Sequence, residues 1–200
     1  MKAYSFSWAS VPAGTYTLTA VATDNMDATG TSAPVTLMVT SGELRVNVAA
    51  AANGATAFAS STYNSGYAPS GAINGDRKGA AWGNGGGWND ATPNGFPDWL
   101  EVDFAGARTI EEVDVFSVQD NYPAPVEPAS EQTFHYYGLT DFQVQYWTGA
   151  AWATVPGGTV SGNTLVWSRV TFAPLTTTRI RILITGALDT WSRVTEIEAY

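Results

Sequence analysis

Residues 98–104, Asp98-Trp-Leu-Glu-Val-Asp-Phe104, form an alternating run of apolar and polar residues that Trp99 opens. Alternation of this kind predicts a half-buried β-strand. No segment of the chain shows a period of 3.6 residues bounded by helix caps. Further strand-like runs, with Pro and Gly between them, favour an antiparallel sandwich over alternating strands and helices. These further runs are Glu112–Val118, Asp141–Trp147, Leu165–Phe172, Arg179–Ile184 and Val194–Tyr200.

The composition indicates a globular chain and excludes several classes of partner. Of the 200 residues, 44% are hydrophobic and 14% are charged, which suffices for a core of useful size. Cysteine is absent, so disulfides, thiolate metal sites and cysteine nucleophiles are excluded. The net charge of -9 argues against nucleic acid and anionic membranes as partners. No apolar run of about 18 residues occurs, so we expect no membrane insertion.

The N-terminal part of the sequence predicts a separate β-hairpin. Residues Gly14–Thr23 and Ala33–Thr40 alternate between apolar and polar side chains, and Asp24–Gly30 supplies the turn. Ser41-Gly-Glu43 interrupts the pattern, and a second block begins near Leu44. We therefore divide the chain into residues 1–41 and residues 44–200.

Two groups of motifs follow one another in residues 44–200. The first group is Asn47-Val-Ala, Ala57–Thr62, Ala72-Ile-Asn-Gly-Asp76 and Asp98–Phe104, and the second is Asp141–Trp147, Arg179–Ile184 and Thr195–Tyr200. In this order they resemble the factor V/VIII type C, or discoidin, domain, and in particular its bacterial branch that includes family 32 carbohydrate-binding modules. Residues 1–41 resemble the last strands of a bacterial immunoglobulin-like or fibronectin-like module. A whole module of that kind needs about seven strands, so these residues represent only part of one.

The resemblance implies an all-β fold, a jelly-roll β-sandwich of the galactose-binding-domain-like type. It implies a ligand surface built by loops at one end of the sandwich. It further implies that the domain is non-catalytic, binds glycan or polysaccharide, and is covalently linked to catalytic or adhesin modules of a secreted, extracellular protein. Fold similarity alone does not identify the ligand.

The resemblance also implies a structural calcium ion. Carried over by position, its ligands are Gly71, Asn74 and Asp76 in one turn and Thr195 and Glu196 in the last strand. Calcium takes about six to eight oxygens, many of them carbonyls of a tight turn. Asn74 stands where the family commonly has aspartate, which removes one charge from the site. The alternative is an ordinary Asn-Gly turn and a solvated glutamate.

Three loops combine aromatic side chains with polar ones, as recognition of a sugar requires. The apolar faces of sugar rings stack on aromatic rings, and the hydroxyls need amide, carboxylate or guanidinium partners. The candidate ligand-binding residues are Tyr63, Trp88, Asn89, Asp90, Asp120, Asn121, Tyr122 and Arg193. The alternative for the tryptophans is core packing, which we expect for Trp99 and for Trp82.

Two other chemistries lack support in the sequence. The stretch Gly83-Asn-Gly-Gly-Gly87 has neither the Lys-Ser/Thr ending of a P-loop nor a following helix. No spacing singles out the two carboxylates of a glycosidase, and no Gly-x-Ser-x-Gly motif is present. A protein-interaction or structural module without a sugar site is the second hypothesis, and a polysaccharide-degrading enzyme is the third.

Overall fold

The structure, a computed structural model, describes Trp8, residues 11–12, residues 14–39 and residues 45–200. Two compact units divide between Arg45 and Val46. The predicted interruption at residues 41–43 and the predicted start at Leu44 lie outside the described residues. Among the described residues, no helix is long and apolar enough to cross a membrane.

The first unit contains four short strands: β1 (Gly14–Leu18), β2 (Val21–Thr23), β3 (Thr29–Thr31) and β4 (Val35–Val39). Strand β1 pairs with β4 and β2 pairs with β3, both antiparallel, so the chain folds back on itself as a hairpin with interrupted arms. Asp24 Oδ1 shapes the turn, because it accepts the backbone N–H groups of Met26 (2.8 Å) and Ala28 (3.0 Å). The turn lies within the segment that the sequence predicts.

The second unit consists of seven strands and four short 3₁₀ turns. The strands are β5 (Thr56–Ala59), β6 (Trp88–Asn89), β7 (Asp98–Ser117), β8 (Leu139–Trp147), β9 (Trp152–Val160), β10 (Trp167–Ala187) and β11 (Arg193–Ala199). The 3₁₀ turns are Ala51–Asn53, Ser65–Tyr67, Pro69–Ile73 and Leu188–Thr190. The hydrogen-bonded order is β6-β11-β7-β10-β8-β9, and β5 pairs with β7.

Two long strands join the two layers of the sandwich. In one layer, residues 98–103 of β7 pair with β5 and with residues 179–184 of β10. In the other, residues 110–117 of β7 pair with the first half of β10 and with β11. The ladder between β7 and β10 shifts register twice where the chain passes from layer to layer. The prediction of an all-β jelly-roll sandwich is confirmed.

The strand boundaries differ from the prediction in two respects. The runs predicted as separate strands at residues 99–104 and 112–118 are parts of β7, and those at 165–172 and 179–184 both lie largely within β10. Strands β5, β6 and β9 were not predicted. Strand β9 contains Pro156, Gly157 and Gly158. These residues interrupt the alternation of apolar and polar side chains from which a strand is predicted.

The hydrophobic core lies between the two layers. Leu100 and Val102 of β7 and Ile182 of β10 come from one layer, and Val113 of β7 and Ile197 of β11 come from the other. All five residues are fully buried. Each such side chain contributes about 1.5–3 kcal/mol through its removal from water. The packed core fixes the strand ends from which the loops of the site project.

Candidate ligand pocket and cation turn

A cavity of about 350 Å³ opens where loops of the second unit meet. Its walls combine six aromatic rings with three polar side chains and one valine. The aromatic residues are Tyr63, Tyr67, Trp82, Tyr122, Tyr137 and Trp191, the polar ones are Asn89, Asp189 and Arg193, and the valine is Val118. Loops after β5, β7 and β10 supply eight of these residues, and strands β6 and β11 supply Asn89 and Arg193. This mixture suits a small ligand with both apolar faces and polar groups.

Arg193 is the central polar residue of the pocket. Its Nε donates to Asn89 Oδ1 at 3.0 Å, and its Nη2 donates to Asp189 Oδ2 at 2.9 Å. The guanidinium also lies 5.2 Å from the ring centroid of Tyr137, within cation–π range. The remaining nitrogen, Nη1, is buried without a hydrogen-bond partner among the described residues. An unpaired buried donor costs about 1–3 kcal/mol.

A strained turn holds Asp189 against Arg193. Asp189 and Thr190 have φ values of 52° and 68°, in the left-handed region that β-branched residues such as threonine rarely adopt. Two backbone hydrogen bonds fix the turn, from Leu188 N to Gly138 O at 3.0 Å and from Asn94 N to Thr190 O at 2.9 Å. Strain of this kind persists where surrounding contacts determine the conformation, and it is common at binding sites.

Asp90 serves the structure of the pocket and does not line it. Its carboxylate is fully buried and accepts the N–H groups of Ser192 (2.8 Å) and Thr92 (2.7 Å). Ser192 also donates its hydroxyl to Asp98 at 2.8 Å. Burial raises the pKa of Asp98, and this hydrogen bond opposes the rise. These bonds fix the segment that carries Trp191 and Arg193.

Trp88 lies in the core, whereas its neighbour Asn89 lies at the pocket. Trp88 is fully buried, and its Nε1 donates to Ser61 O at 2.8 Å. Its side chain is therefore unavailable for stacking on a ligand, which corrects the expectation that it supplies the platform. In strand β6, Trp88 pairs with Val194 and Asn89 pairs with Arg193, so the two neighbours face opposite sides.

The loop after β7 brings one of its three candidates to the pocket. Tyr122 lines the pocket and is 40% exposed. Asp120 accepts the backbone N–H groups of His135 (2.7 Å) and Tyr136 (3.0 Å) and so shapes the loop. Asn121 Nδ2 donates to Ala124 O at 3.0 Å within a turn. Of the eight predicted residues, the pocket brings together Tyr63, Asn89, Tyr122 and Arg193.

Six pocket residues were not predicted as ligand-binding: Tyr67, Trp82, Val118, Tyr137, Asp189 and Trp191. Edge-to-face contacts connect three of these residues to Tyr63. The Tyr63 ring lies 5.3 Å from Trp191 and 5.8 Å from Tyr67, measured between centroids. Tyr67 in turn lies 5.2 Å from Trp82. The sequence could have indicated Trp191. It lies two residues before the candidate Arg193, and residues two apart at a strand end lie on the same side.

The glycine-rich stretch 83–87 allows three segments to approach closely. Gly85 N donates to Gly66 O at 2.8 Å, and Asn74 Nδ2 donates to Gly85 O at 3.1 Å. A Cβ on Gly87 would lie 2.5 Å from the Trp82 ring and 2.8 Å from Val194 O. The stretch thus connects the turn at residues 71–76 to the aromatic wall of the pocket.

The candidate cation turn lies beside a buried carboxylate. Glu196 is fully buried, and both its oxygens accept the Gly75 N–H, at 3.1 and 3.2 Å. Burial raises the pKa of Glu196 to about 8. Asn74 Oδ1 accepts Asp76 N at 2.7 Å. Thr195 Oγ1 donates to Arg77 O at 2.9 Å, which ties the last strand to the segment that follows the turn.

The buried Glu196 carboxylate is the residue type that a hard cation prefers as a ligand. In the described part of the chain, no Lys or Arg side chain forms an ion pair with Glu196. A buried carboxylate without a cationic partner is the situation that a bound cation relieves. Residues 45–200 hold no cluster of three or more His, Cys, Asp or Glu side chains suited to a metal. Most donors would therefore be backbone carbonyls, with Gly71 among them, together with the Asn74 amide oxygen and water.

A β-sandwich with an aromatic and polar pocket among its loops is the class of protein that this fold and site define. The family model of the F5/8 type C domain matches residues 56–197. The chain therefore belongs to the F5/8 type C domain family. Among curated proteins, none matches the chain.

Solved structures share this fold at low sequence identity. Chitosan-binding module 1, derived from a chitosanase/glucanase of Paenibacillus sp. IK-5, is 22% identical with a TM-score of 0.57, over 78% of this chain and 99% of that one. The family 32 CBM of C. perfringens NanJ, in complex with galactose, is 19% identical with a TM-score of 0.52, over 72% and 92%. A Streptococcus pneumoniae fucose binding module is 18% identical with a TM-score of 0.58, over 80% and 97%.

Replacing Gly87 with alanine tests the close approach of the glycine-rich stretch. Gly87 and Gly85 both have positive φ (149° and 89°), but a Cβ on Gly85 meets nothing within 4 Å. We expect Gly85→Ala to lower the free energy of unfolding by about 1 kcal/mol and Gly87→Ala by about 3 kcal/mol or more. Urea unfolding measures both values. Equal losses would show that the contact with Trp82 and Val194 does not limit the side chain at position 87.

Proposed function

We propose that the second unit is a non-catalytic carbohydrate-binding module whose ligand occupies the pocket beside Arg193. The observation that carries the proposal is a pocket walled by six aromatic rings around the paired side chains of Arg193 and Asp189. A sugar offers hydroxyl groups to such a polar pair and apolar C–H faces to such rings. Few other small ligands combine the two on one compact body.

The polar groups of the pocket suit a neutral sugar. Arg193 and Asp189 form an ion pair, so their charges compensate. The Asp189 side chain is 57% exposed and can accept a hydroxyl in addition to Arg193. A donor and an acceptor held side by side bind neighbouring hydroxyls of one sugar ring. The fold neighbours support this proposal, since their names give chitosan, galactose and fucose as ligands.

The distribution of carboxylates supports a binding role without catalysis. Glycoside hydrolysis requires two carboxyl groups on either side of the scissile bond, about 5–10 Å apart. Asp189 is the one carboxylate among the residues that line the pocket. Asp90, which lies behind it, is fully buried and occupied by backbone N–H groups. A pocket with one accessible carboxylate can bind a glycoside but lacks the second group that cleavage needs.

Replacement of Arg193 tests the binding proposal. We expect Arg193→Ala to weaken binding of the best ligand from a glycan array by about 10- to 100-fold, the range for lost hydrogen bonds to a charged group. Arg193→Lys should not restore binding, because a single ammonium cannot hold Asn89 and Asp189 and also donate to a ligand. Isothermal titration calorimetry gives both affinities.

Arg181→Ala is the matched control. Arg181 is partly exposed and lies on β10, where its guanidinium contacts Trp152 and its Nε bonds to Gln145. It does not line the pocket. Wild-type protein that binds no glycan at millimolar concentration would contradict the proposal and favour the alternative of a protein-interaction module.

We also propose a structural calcium ion at the turn of residues 71–76. Glu196 would supply a carboxylate, Asp76 a second, and Gly71, Asn74 and Thr195 would supply neutral oxygens. The ion would neutralise the buried Glu196 carboxylate and fasten the last strand to the turn. The support is the burial of Glu196 without a cationic partner among the described residues.

Calcium removal tests this second proposal. Saturating calcium should raise the melting temperature above that in EDTA by roughly 5–10 °C, because ligand at 100 times its Kd adds about 2.7 kcal/mol of stability. Glu196→Gln should abolish the calcium response, whereas Glu131→Gln at an exposed position should leave it intact. Scanning calorimetry measures the shift. A wild-type melting temperature that is the same with calcium and with EDTA would refute the site.

We further propose that the module belongs to a secreted multimodular protein and carries its other modules to glycans. One neighbour is a module derived from a chitosanase/glucanase, which supports this role. A single shallow pocket binds weakly, so retention at a surface would depend on several modules acting together. Two copies of the chain joined by a flexible linker should bind a glycan-coated surface about 100-fold more tightly than one. Surface plasmon resonance that gave equal affinities would contradict this role.

A further inference from the structure

Aromatic rings continue beyond the pocket along the loop that joins β7 to β8. Tyr122 and Tyr137 line the pocket with ring centroids 5.7 Å apart. Tyr136 follows at 6.0 Å from Tyr137, and His135 at 6.4 Å from Tyr136. Tyr136 is 64% exposed, and the His135 side chain is 75% exposed. We call His135 and Tyr136 the shelf.

The backbone holds the shelf in place although its side chains are exposed. Asp120 accepts the N–H groups of both shelf residues, at 2.7 and 3.0 Å. The preceding Phe134 is buried, and its N–H donates to Thr164 O at 2.9 Å. On the other side, Gly138 packs so closely on the Phe134 ring that a Cβ would overlap it. Because their backbone is already fixed, binding of a ligand to these two rings has to order only the side chains.

The shelf is continuous with the pocket through Tyr137, which contacts Tyr136 on one side and the Arg193 guanidinium on the other. The distance of 6.0 Å between the rings of Tyr136 and Tyr137 matches the scale of one sugar ring. The Tyr136 hydroxyl and the His135 Nε2 border the exposed rings and can bond to hydroxyls, whereas His135 Nδ1 faces Asp120 Oδ2 at 3.3 Å. Like the pocket, the shelf therefore offers aromatic rings for stacking and polar groups for hydrogen bonds.

We propose that the shelf is a second subsite, which binds the sugar residue linked to the one in the pocket. The ligand class is then an oligosaccharide or a polysaccharide end, recognised over at least two residues. This inference rests on the proposed function, because it requires a sugar in the pocket.

The experiment compares monosaccharides with the longer glycans that contain them. The probes are galactose and lactose, N-acetylgalactosamine and GalNAc-β-1,3-galactose, and glucosamine and chitotriose. For the pair that the wild-type protein binds, we expect calorimetry to show about tenfold tighter binding of the longer glycan. Tyr136→Ala should weaken binding of the longer glycan by about 5- to 30-fold and change binding of the monosaccharide by less than about twofold.

Two further variants separate stacking from general damage. Tyr136→Phe keeps the ring and should retain most of the affinity for the longer glycan. Phe58→Ala removes a side chain of similar exposure, 51%, from strand β5 and should leave both affinities unchanged. Melting temperatures of all variants check that they are folded.

The outcomes distinguish the shelf from the pocket. Equal affinity for the two members of the bound pair, or equal weakening of both by Tyr136→Ala, would overturn the shelf and leave the pocket proposal standing. Absence of binding to all six probes and to a glycan array would overturn both.

Discussion

The pairing of β11 with β6 and β7 is the constraint on which both candidate sites depend. Arg193 pairs with Asn89, and this polar pair lies at the pocket. Val194 pairs with Trp88, and this apolar pair lies in the core. After Val194, the ladder with β7 shifts register, so that Glu196 pairs with Phe116. The extra residue, Thr195, reverses the alternation of the strand, as a β-bulge does. Glu196 thereby faces the turn at residues 71–76, while Ile197 and Ala199 return to the core.

Close backbone contact extends this constraint to the aromatic wall. Gly85 bonds to Gly66 and to Asn74, and Gly87 leaves no room for a side chain between Trp82 and Val194. Tyr67, next to Gly66, contacts Trp82. The position of the pocket wall therefore depends on the same strand as the guanidinium that it surrounds.

Much of the fold was predictable from the sequence, because alternation and turn residues are local signals. The bends of β7 and β10 were not, since a strand that changes layers shifts its register and loses its alternation in the exposed middle. Each of these two strands was therefore predicted as two separate strands. The resemblance to the family, by contrast, depends on the order of motifs, and the family model confirms it over residues 56–197.

The pocket was predictable only in part. Arg193, Asn89, Tyr63 and Tyr122 combine a suitable residue type with a loop position, and the structure brings them together. Trp88 has the same features, but pairing with Val194 directs it inward, and no local pattern shows this. Asp189 reaches Arg193 because its backbone is in the left-handed conformation, which the local sequence does not indicate. Tyr137 reaches the pocket through the path of a long loop, which tertiary packing determines.

The two long strands have a consequence for how the second unit comes apart. Because β7 and β10 belong to both layers, neither layer can separate without breaking the ladder that supports the other. Opening of one sheet therefore breaks hydrogen bonds on which the other sheet depends, and we expect the unit to unfold in a single cooperative step. The pocket is built largely from loops, but the ends of β7 and β10 that carry them then separate only when the sandwich unfolds.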